Sequence, residues 1–295
     1  MSLGDYFAIA SALCNSIAVI FMRVAGHQIP PLSLNFFRVC VGLLLTVSTL
    51  LLLGEPLFIE LSKIDYLRLV ISGVIGISIA DTMIAASINR LGASLQALAN
   101  CAYTPAITLV GFVMYGEMLN GWEIIGGLLV VSGVFVGAVM KADNTTSRNL
   151  WIGILLAAGA HITMGVAILM VRDIYREVSV LWVSSFRLSI AALAIFVFAQ
   201  LRFPNTVCKE LLLGFVRPDM WHSLIPMAIL GPYLAMLCWI AGFKYLEAGR
   251  AAVYNQLSTV FIILLAYFLL GEQLTRRKMI GVVLAIAGAI VVGSQ

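Results

Sequence analysis

The stretch LGASLQALANCAYTPAITLVGFVMYGEMLNGWEIIGGLLVVSGVFV, residues 91–136, returns 155 positions later as LEAGRAAVYNQLSTVFIILLAYFLLGEQLTRRKMIGVVLAIAGAIV, residues 246–291. Identical residues in the two copies include the pairs Asn100 and Asn255, Thr104 and Thr259, and Gly116-Glu117 and Gly271-Glu272. An offset of 149 aligns the earlier parts of the two halves, where Arg38 matches Arg187. The chain is therefore the product of an internal duplication.

The composition places this duplicated chain in a membrane. Hydrophobic residues make up 62% of the sequence and charged residues 11%, with a mean hydropathy of +1.05. A soluble domain of this size needs more polar surface than that. Because about 20 apolar residues span the hydrocarbon layer, the sequence predicts an all-α integral membrane protein with ten transmembrane helices. The predicted spans are 5–25, 32–53, 66–88, 94–114, 121–139, 151–171, 180–201, 222–245, 250–269 and 277–293.

Five spans in each half fix the relation between the halves. A duplicated unit with an odd number of spans must lie upside down relative to its twin. We therefore predict a first five-helix repeat at 1–140, a polar linker at 141–149 (KADNTTSRN) and a second five-helix repeat at 150–295. Inverted repeats are the architecture of secondary transporters, whose substrate site lies near the midplane between the halves.

Several other classes of protein do not fit the sequence. The net charge of +4 is small and scattered over loops, so no nucleic-acid partner is expected. The five cysteines form no C-x-x-C pair and read as small apolar side chains, so neither a metal site nor a cofactor is predicted. The first span has no basic residue ahead of it and is expected to be retained rather than cleaved. No stretch is long enough for a soluble motor or catalytic domain.

Three charged residues lie well inside predicted spans, away from their ends, where each marks a candidate functional site. Arg38 and Arg187 sit about two turns into their helices, where a cation opposes the helix dipole and calls for an anionic partner. That partner is either a substrate carboxylate or a protein acid; snorkelling to the interface is the alternative. Asp81 is the one acid well inside a span. It is a candidate either for a proton or ammonium partner or for a structural ion pair with one of the two arginines.

Polar residues form matching stripes in spans four and nine. Gln96, Asn100 and Thr104 recur every four residues and so share one helical face, and Asn255 with Thr259 repeats part of that face. Two equivalent stripes in inverted repeats suit a shared central site, with polar contacts between helices as the competing interpretation. Pro105 and Gly231-Pro232 are expected to free backbone carbonyls or form hinges in spans four and eight.

The remaining candidate substrate-binding residues are single polar or aromatic side chains within spans. His161 is a candidate for proton coupling, although a lone histidine is more often held by structural contacts. The aromatic candidates were selected as possible walls of a pocket, against their known enrichment at membrane interfaces. The full set in this class is Asn15, Tyr103, His161, Trp182, Trp239 and Tyr254.

The paired Gly-Glu motifs before glycine-rich last helices carry a resemblance to the drug/metabolite transporter superfamily, and within it to the ten-span EamA-type exporters. These motifs are Gly116-Glu117 with Gly126 and Gly133, and Gly271-Glu272 with Gly281 and Gly288, joined by Arg38 and Arg187. The resemblance implies a location in the bacterial inner membrane with both termini in the cytoplasm, although the distribution of Lys and Arg favours the opposite orientation. Four-span relatives couple drug to proton through a first-helix glutamate, whereas the first span here carries Asn15.

The sequence therefore predicts a secondary-active exporter of small polar metabolites, such as amino acids or their derivatives, working as a monomer by alternating access. Its expected partners are the substrate and the lipid bilayer, with proton coupling or exchange left open. The alternatives are an importer, an exchanger or a facilitative channel for a choline-like, nucleotide-like or drug-like solute. A channel would be expected to show a repeated pore motif, which is not evident. Enzyme activity is not expected, because no H-E-x-x-H motif and no second intramembrane acid are present.

Overall fold

A computed structural model describes residues 3–115, 121–138, 147–245 and 248–293, and those residues are helical apart from short connections. The described residues of the first half form seven α-helices. They are α1 (Leu3–Ala25), α2 (Pro31–Leu52), α3 (Lys63–Gly73), α4 (Ala80–Leu91), α5 (Ala93–Asn100), α6 (Tyr103–Tyr115) and α7 (Gly121–Ala138). A π-helix, Val74–Ile79, joins α3 to α4 without a break.

In the part of the second half that the structure describes there are eight α-helices. They are α8 (Ser147–Leu169), α9 (Arg172–Glu177), α10 (Val180–Arg202), α11 (Val207–Leu211), α12 (Trp221–Ala228), α13 (Met236–Tyr245), α14 (Ala248–Leu270) and α15 (Arg276–Gly293). A second π-helix, Ile229–Ala235, joins α12 to α13. The connection from 202 to 221 contains α11 and two 3₁₀ turns.

Each of the ten sequence-predicted ranges overlaps a helix or a continuous run of helices. Within the described ranges, seven helical runs are long and apolar enough to cross a membrane. They are Leu3–Ala25, Pro31–Leu52, Lys63–Leu91, Ala93–Met114, Arg148–Leu169, Val180–Arg202 and Pro218–Gly242. Two shorter apolar stretches, Ile124–Val136 and Leu257–Leu270, belong to α7 and α14. The protein is thus an all-helical, multi-pass membrane protein.

The helices pack in a reciprocal pattern between the two halves. The first helix of the first half, α1, packs on α14 and on the run from α12 to α13. The first helix of the second half, α8, packs on α6 and on the run from the π-helix to α4. The second helices, α2 and α10, contact each other, as do the last helices, α7 and α15. The main helix contacts are therefore reciprocal between the two halves.

Glycines bring α7 and α15 into backbone contact. A Cβ at Gly133 would lie 2.6 Å from the carbonyl oxygen of Gly281, and a Cβ at Gly288 would lie 2.5 Å from that of Gly126. These four glycines are two pairs related by the 155-residue offset, so each helix makes the same contact with the other. Small residues allow such close approach in membrane proteins. The glycine-rich last spans are therefore a packing surface between the halves.

Both π-helices release backbone carbonyls that side chains from neighbouring helices then satisfy. Asn35 donates to the carbonyl of Ile77 at 3.0 Å, and Ser11 donates to the carbonyl of Ala235 at 2.9 Å. In lipid an unsatisfied carbonyl is costly, so these donors stabilise the irregular turns. The hinge expected at Gly231-Pro232 corresponds to the second π-helix. The first π-helix contains no proline and was not anticipated from the sequence.

A second helix break, between α4 and α5, is held by two charged side chains. Gly92 has a φ of +82°, a conformation that favours glycine, and it ends α4 just before α5 begins. Arg23 donates to the carbonyls of Ile88 and Asn89 at the end of α4, both at 3.0 Å. The Glu272 carboxylate accepts hydrogen bonds from the backbone N–H groups of Ala93 and Ser94, at 2.8 and 3.0 Å. The second-half Gly-Glu motif therefore caps a first-half helix.

Candidate functional site

A central cavity of about 170 Å³ lies between the two halves. This volume is close to that of an engineered protein cavity of about 150 Å³ that binds benzene, so the space suits a small solute. Both π-helices contribute to the wall, through Gly76 and Ile77 on one side and Gly231, Pro232 and Ala235 on the other. π-Helical turns occur often at functional sites.

Eight of the twelve sequence-predicted site residues line this cavity. They come from helices of both halves and are Asn15, Arg38, Asp81, Gln96, Asn100, Tyr103, Arg187 and Trp239. Helices α1, α2, α8 and α10 also contribute to the wall, through residues such as Ser11, Arg38, Met164 and Arg187. The assignment of these residues to substrate binding stays a prediction.

Three of the other four predicted residues are not among those that line the cavity. Trp182 is buried away from the cavity, where its indole N–H donates to the carbonyl of Leu57 at 2.9 Å and its ring stacks on Phe186. Trp182 therefore belongs to a packed aromatic cluster and does not form part of the pocket wall. Tyr254 is half-buried on α14 but is not among the cavity-lining residues. The side chain of Asn255 lies outside the described part of the structure.

His161 stands behind the cavity wall rather than in it. It is 1% exposed, and its ring makes an edge-to-face contact with Tyr103, with centroids 5.9 Å apart. Neither ring nitrogen has a hydrogen-bond partner among the described residues, and the same holds for the Tyr103 hydroxyl. Tyr103 thus separates His161 from the cavity and carries an unused polar group of its own.

The cavity contains one ion pair. Arg38 Nη2 lies 2.6 Å from Asp81 Oδ2, and the two side chains are 13% and 12% exposed. From the sequence, either arginine was a candidate partner for Asp81, and the structure selects Arg38. Two turns of α2 after Pro31 bring Arg38 level with the start of α4, immediately after the π-helix. The pair neutralises the acid and cross-links α2 to α4.

Arg187 has a different environment, although it lies at the same depth in its helix. It is 4% exposed, and its Nη1 donates to the hydroxyl of Tyr175, with the guanidinium 5.9 Å from the centre of that ring. Tyr175 lies on the short helix α9, which the sequence treated as a loop, so its role was not anticipated. No periodic pattern marks a six-residue helix, and its polar letters (RDIYRE) indicated only a connection.

The polar stripes of spans four and nine divide between the two interpretations. Gln96 and Asn100 line the cavity, as a site requires. Thr259 instead donates to the carbonyl of Ala97 at 3.2 Å and contacts the sulfur of Cys101 at 3.7 Å. Thr259 therefore joins α14 to α5 as a packing contact. The side chain of Thr104 lies outside the described residues.

A helical membrane fold with a polar cavity between two duplicated halves defines a class of membrane transport proteins. The model of the EamA-like transporter family matches the chain twice, over residues 2–138 and 151–294. The chain belongs to the EamA-like transporter family, in the drug/metabolite transporter superfamily. The sequence-level resemblance is thereby confirmed, and a catalytic role is not what this family indicates.

Individual relatives are more distant. The chain is 33% identical over 67 residues to a probable 4-amino-4-deoxy-L-arabinose-phosphoundecaprenol flippase subunit ArnE of Pseudomonas aeruginosa. That match covers 23% of this chain and 58% of the relative. A probable ArnF subunit of Pseudomonas fluorescens is 32% identical over 91 residues, covering 27% of this chain and 68% of the relative. The chain thus spans little more than half the length of the ArnE relatives it matches.

One solved crystal structure shares the fold. It superimposes with a TM-score of 0.70 over 98% of this chain and 95% of its own, at 18% sequence identity. Similarity at that level concerns the arrangement of the helices, and it extends over nearly the whole chain.

Proposed function

We propose that this protein is a secondary-active transporter that exports small polar metabolites, such as amino acids or their derivatives, through the central cavity. The observation that carries the proposal is the cavity itself, because its wall is assembled from helices of both halves and includes polar side chains from each, such as Asn100 and Arg187. A site shared by two halves is exposed to one side of the membrane or the other when the halves rock against each other. We place the protein in the inner membrane as a monomer with both termini in the cytoplasm.

The proposed scaffold is a pair of inverted five-helix repeats with ten spans, at 1–140 and 150–295. Three features support it: the odd number of predicted spans in each half, the reciprocal helix contacts, and the reciprocal glycine contacts between α7 and α15. An alternating-access carrier requires two arrangements of similar energy. Two repeats with matching contact surfaces can provide these two arrangements. Each half can adopt the conformation of the other half, which would open the cavity to the opposite side of the membrane.

Counterflow distinguishes a carrier from a channel. Proteoliposomes loaded with one unlabelled amino acid from a panel are placed in the same labelled amino acid at low concentration, with and without a pH gradient. A carrier will accumulate label transiently above its equilibrium level, whereas a facilitative channel will only equilibrate it. Everted vesicles will establish the direction. Equal label in protein-free liposomes across the panel would contradict the proposal.

Asn100 gives the matched variant for this assay. Because Asn100 lines the cavity, Asn100→Ala is expected to lower the initial rate of counterflow by about tenfold, the effect of losing one hydrogen bond to the solute. Ser132→Ala is the control, since Ser132 is exposed on α7 and bonds only to its own helix. A large loss of thermal stability in Asn100→Ala, with normal transport by the folded fraction, would assign Asn100 to packing.

The relatives provide a second candidate. ArnE and ArnF carry names of flippase subunits for a phosphate-linked lipid. A cavity bordered by guanidinium groups is compatible with a phosphate, so the substrate would then be a lipid headgroup instead of a free solute. A fluorescent phosphate-bearing lipid, reconstituted in the inner leaflet and chased with a membrane-impermeant quencher, tests this candidate directly. Flipping no faster than in protein-free vesicles would eliminate it.

A further inference from the structure

The Arg187 guanidinium is a cavity-lining cation without an acid partner. It is 4% exposed, and across 3–115, 121–138, 147–245 and 248–293 no carboxylate lies within 4.0 Å of it. Its Nη1 donates a hydrogen bond to the Tyr175 hydroxyl, and its Nε has no partner in the described ranges. A neutral phenol accepts a hydrogen bond but supplies no negative charge. The positive charge therefore lies in a buried position with no carboxylate in contact with it, and Asp81, which pairs directly with Arg38, interacts with it only at longer range.

The duplication explains why the acid is missing. The 155-residue offset that aligns Leu91 with Leu246 also aligns the two π-helices, and it pairs Asp81 with Met236. Met236 lines the same cavity as Arg187. The first half thus has an arginine and its carboxylate, whereas the second half keeps the arginine and has a thioether in the position of the carboxylate.

A second unpaired group lies beside this cation. Tyr103 is 2% exposed and lines the cavity, and its hydroxyl has no partner among the described residues. It interacts electrostatically with both Arg187 and Tyr175. A phenol O–H and a guanidinium N–H are both donors suited to an oxyanion. The two unused donors come from opposite halves, on α6 and α10.

We propose that Arg187, with Tyr103 beside it, binds an oxyanion of the transported substrate, either a carboxylate or a phosphate group. The proposal rests on the transport function proposed above and names its substrate class. The charges of the wall agree with it, because two guanidinium groups and one carboxylate among the lining residues leave a formal net charge of +1. Arg38 is already neutralised by Asp81, so the anion belongs at Arg187. Arginine also offers a planar fork that matches both kinds of oxyanion.

Matched pairs of probes test this site by binding alone. The purified protein in detergent is titrated with L-serine against L-serinamide, and with O-phosphoethanolamine against ethanolamine, following the thermal unfolding temperature and the Kd by calorimetry. The members of each pair differ mainly in the oxyanion. We expect at least one anionic member to bind about tenfold to a hundredfold more tightly than its partner, as a charge-assisted hydrogen bond predicts. The proposal would be overturned if the native protein bound L-serinamide more tightly than L-serine and ethanolamine more tightly than O-phosphoethanolamine.

Variants locate the effect at Arg187. Arg187→Gln is expected to abolish the preference for the anionic member, and Arg187→Lys to retain part of it, since lysine keeps the charge but not the fork. Arg202→Gln is the control on the same helix, because Arg202 is exposed at the end of α10 and lies over Phe203. An unchanged preference in Arg187→Gln overturns the proposal. Should that variant fail to fold, the comparison of Arg187→Lys with the native protein decides, with equal Kd values counting against the site.

Two further arms separate this proposal from the transport function and from the source of the anion. Loss of counterflow for every probe, with anion-selective binding intact, removes the transport function and leaves the binding site. Counterflow of a panel member by the native protein, with no preference for the oxyanion-bearing member of either probe pair, removes the binding site and leaves the transport function. Competition between O-phosphoethanolamine and a short-chain phosphatidic acid identifies a free solute or a lipid headgroup as the better ligand, and both bear the same oxyanion.

Discussion

Arg38 and Arg187 stand at the same place in the two halves, seven residues after the first residue of α2 and of α10. Both line the cavity, yet Arg38 contacts a carboxylate at 2.6 Å and Arg187 contacts a neutral phenol. The scaffold around them is reciprocal, from the helix contacts to the glycines of α7 and α15. The difference teaches that the duplication preserved the packing between halves while the charges at the centre diverged. An asymmetric solute requires an asymmetric site, even within a symmetric scaffold.

The largest expected effect follows from breaking the ion pair of the first half. Asp81→Asn leaves Arg38 as an unpaired charge with a side chain 13% exposed, which should destabilise the protein by about 3 kcal/mol. Reversible unfolding in mixed micelles measures this loss. The double variant Arg38→Gln/Asp81→Asn is the control and should recover most of it, because it leaves no uncompensated charge.

The same variant separates the two roles considered for Asp81. Native stability together with loss of gradient-driven accumulation would identify Asp81 as a proton or ammonium partner instead of a structural one. Native stability together with full driven transport would contradict both roles and leave the carboxylate solvated by the cavity.

A smaller effect tests whether the scaffold is as reciprocal as its glycines indicate. Gly133→Ala and Gly288→Ala each place a Cβ within 2.6 Å of a carbonyl oxygen on the facing helix, so the helices must separate. Overpacking of this kind costs about 1–3 kcal/mol, and we expect the two losses to be equal within experimental error. Thermal unfolding of both variants measures them, with Gly121→Ala as the control because nothing lies within 4 Å of its added Cβ. A loss confined to one glycine would contradict the reciprocity.

The difference between the halves can also be erased. Met236→Asp places a carboxylate in the second half where the first half has Asp81, on the same cavity as Arg187. If the new acid neutralises Arg187, affinity for O-phosphoethanolamine should fall about tenfold or more, equivalent to about 1.4 kcal/mol. Met236→Leu keeps the volume without the charge and should bind as the native protein does. Undiminished anion affinity in a folded Met236→Asp protein would show that Arg187 is not the anion ligand.

The sequence predicted the helices well because apolar length is a local property. Each predicted span overlaps a helix, and Arg38 and Asp81, which were singled out because charge is rare in lipid, form an ion pair on the cavity wall. The choice of Arg38 over Arg187 as partner depends on the relative rotation of α2, α4 and α10, which no local pattern encodes. Trp182 was selected only for being aromatic, and the carbonyl that its indole reaches, that of Leu57, is distant in sequence.

Features that depend on tertiary contacts were missed for the same reason. The π-helix Val74–Ile79 has no proline to announce it, and it is stabilised by Asn35 from another helix. Tyr175 belongs to a six-residue helix whose composition resembles a loop. By contrast, Gly231-Pro232 marked the second π-helix, because proline removes a backbone donor that a regular turn would use.

The smallest expected effect concerns the caps at the helix breaks. Glu272 accepts two backbone N–H bonds at the start of α5, so Glu272→Gln keeps the shape but loses the charge that favours a helix N-terminus. We expect a loss of about 0.5–1 kcal/mol, seen as faster hydrogen exchange at the amides of Ala93 and Ser94. Gln273→Ala, at the exposed neighbouring position, should leave those amides unchanged.

The equivalent acid of the first half turns this cap into a test of the comparison. Glu117 lies outside the described residues, but the 155-residue offset predicts that its carboxylate caps the start of α14 as Glu272 caps that of α5. Equal losses of protection in Glu117→Gln and Glu272→Gln would mean that both caps form in the resting protein. Loss only in Glu272→Gln would mean that one cap is closed at a time, as expected if the two ends of the cavity open alternately. Normal protection of the amides from hydrogen exchange in both variants would show that neither carboxylate stabilises a helix start. The contact between the halves would then depend on the packing of α7 on α15.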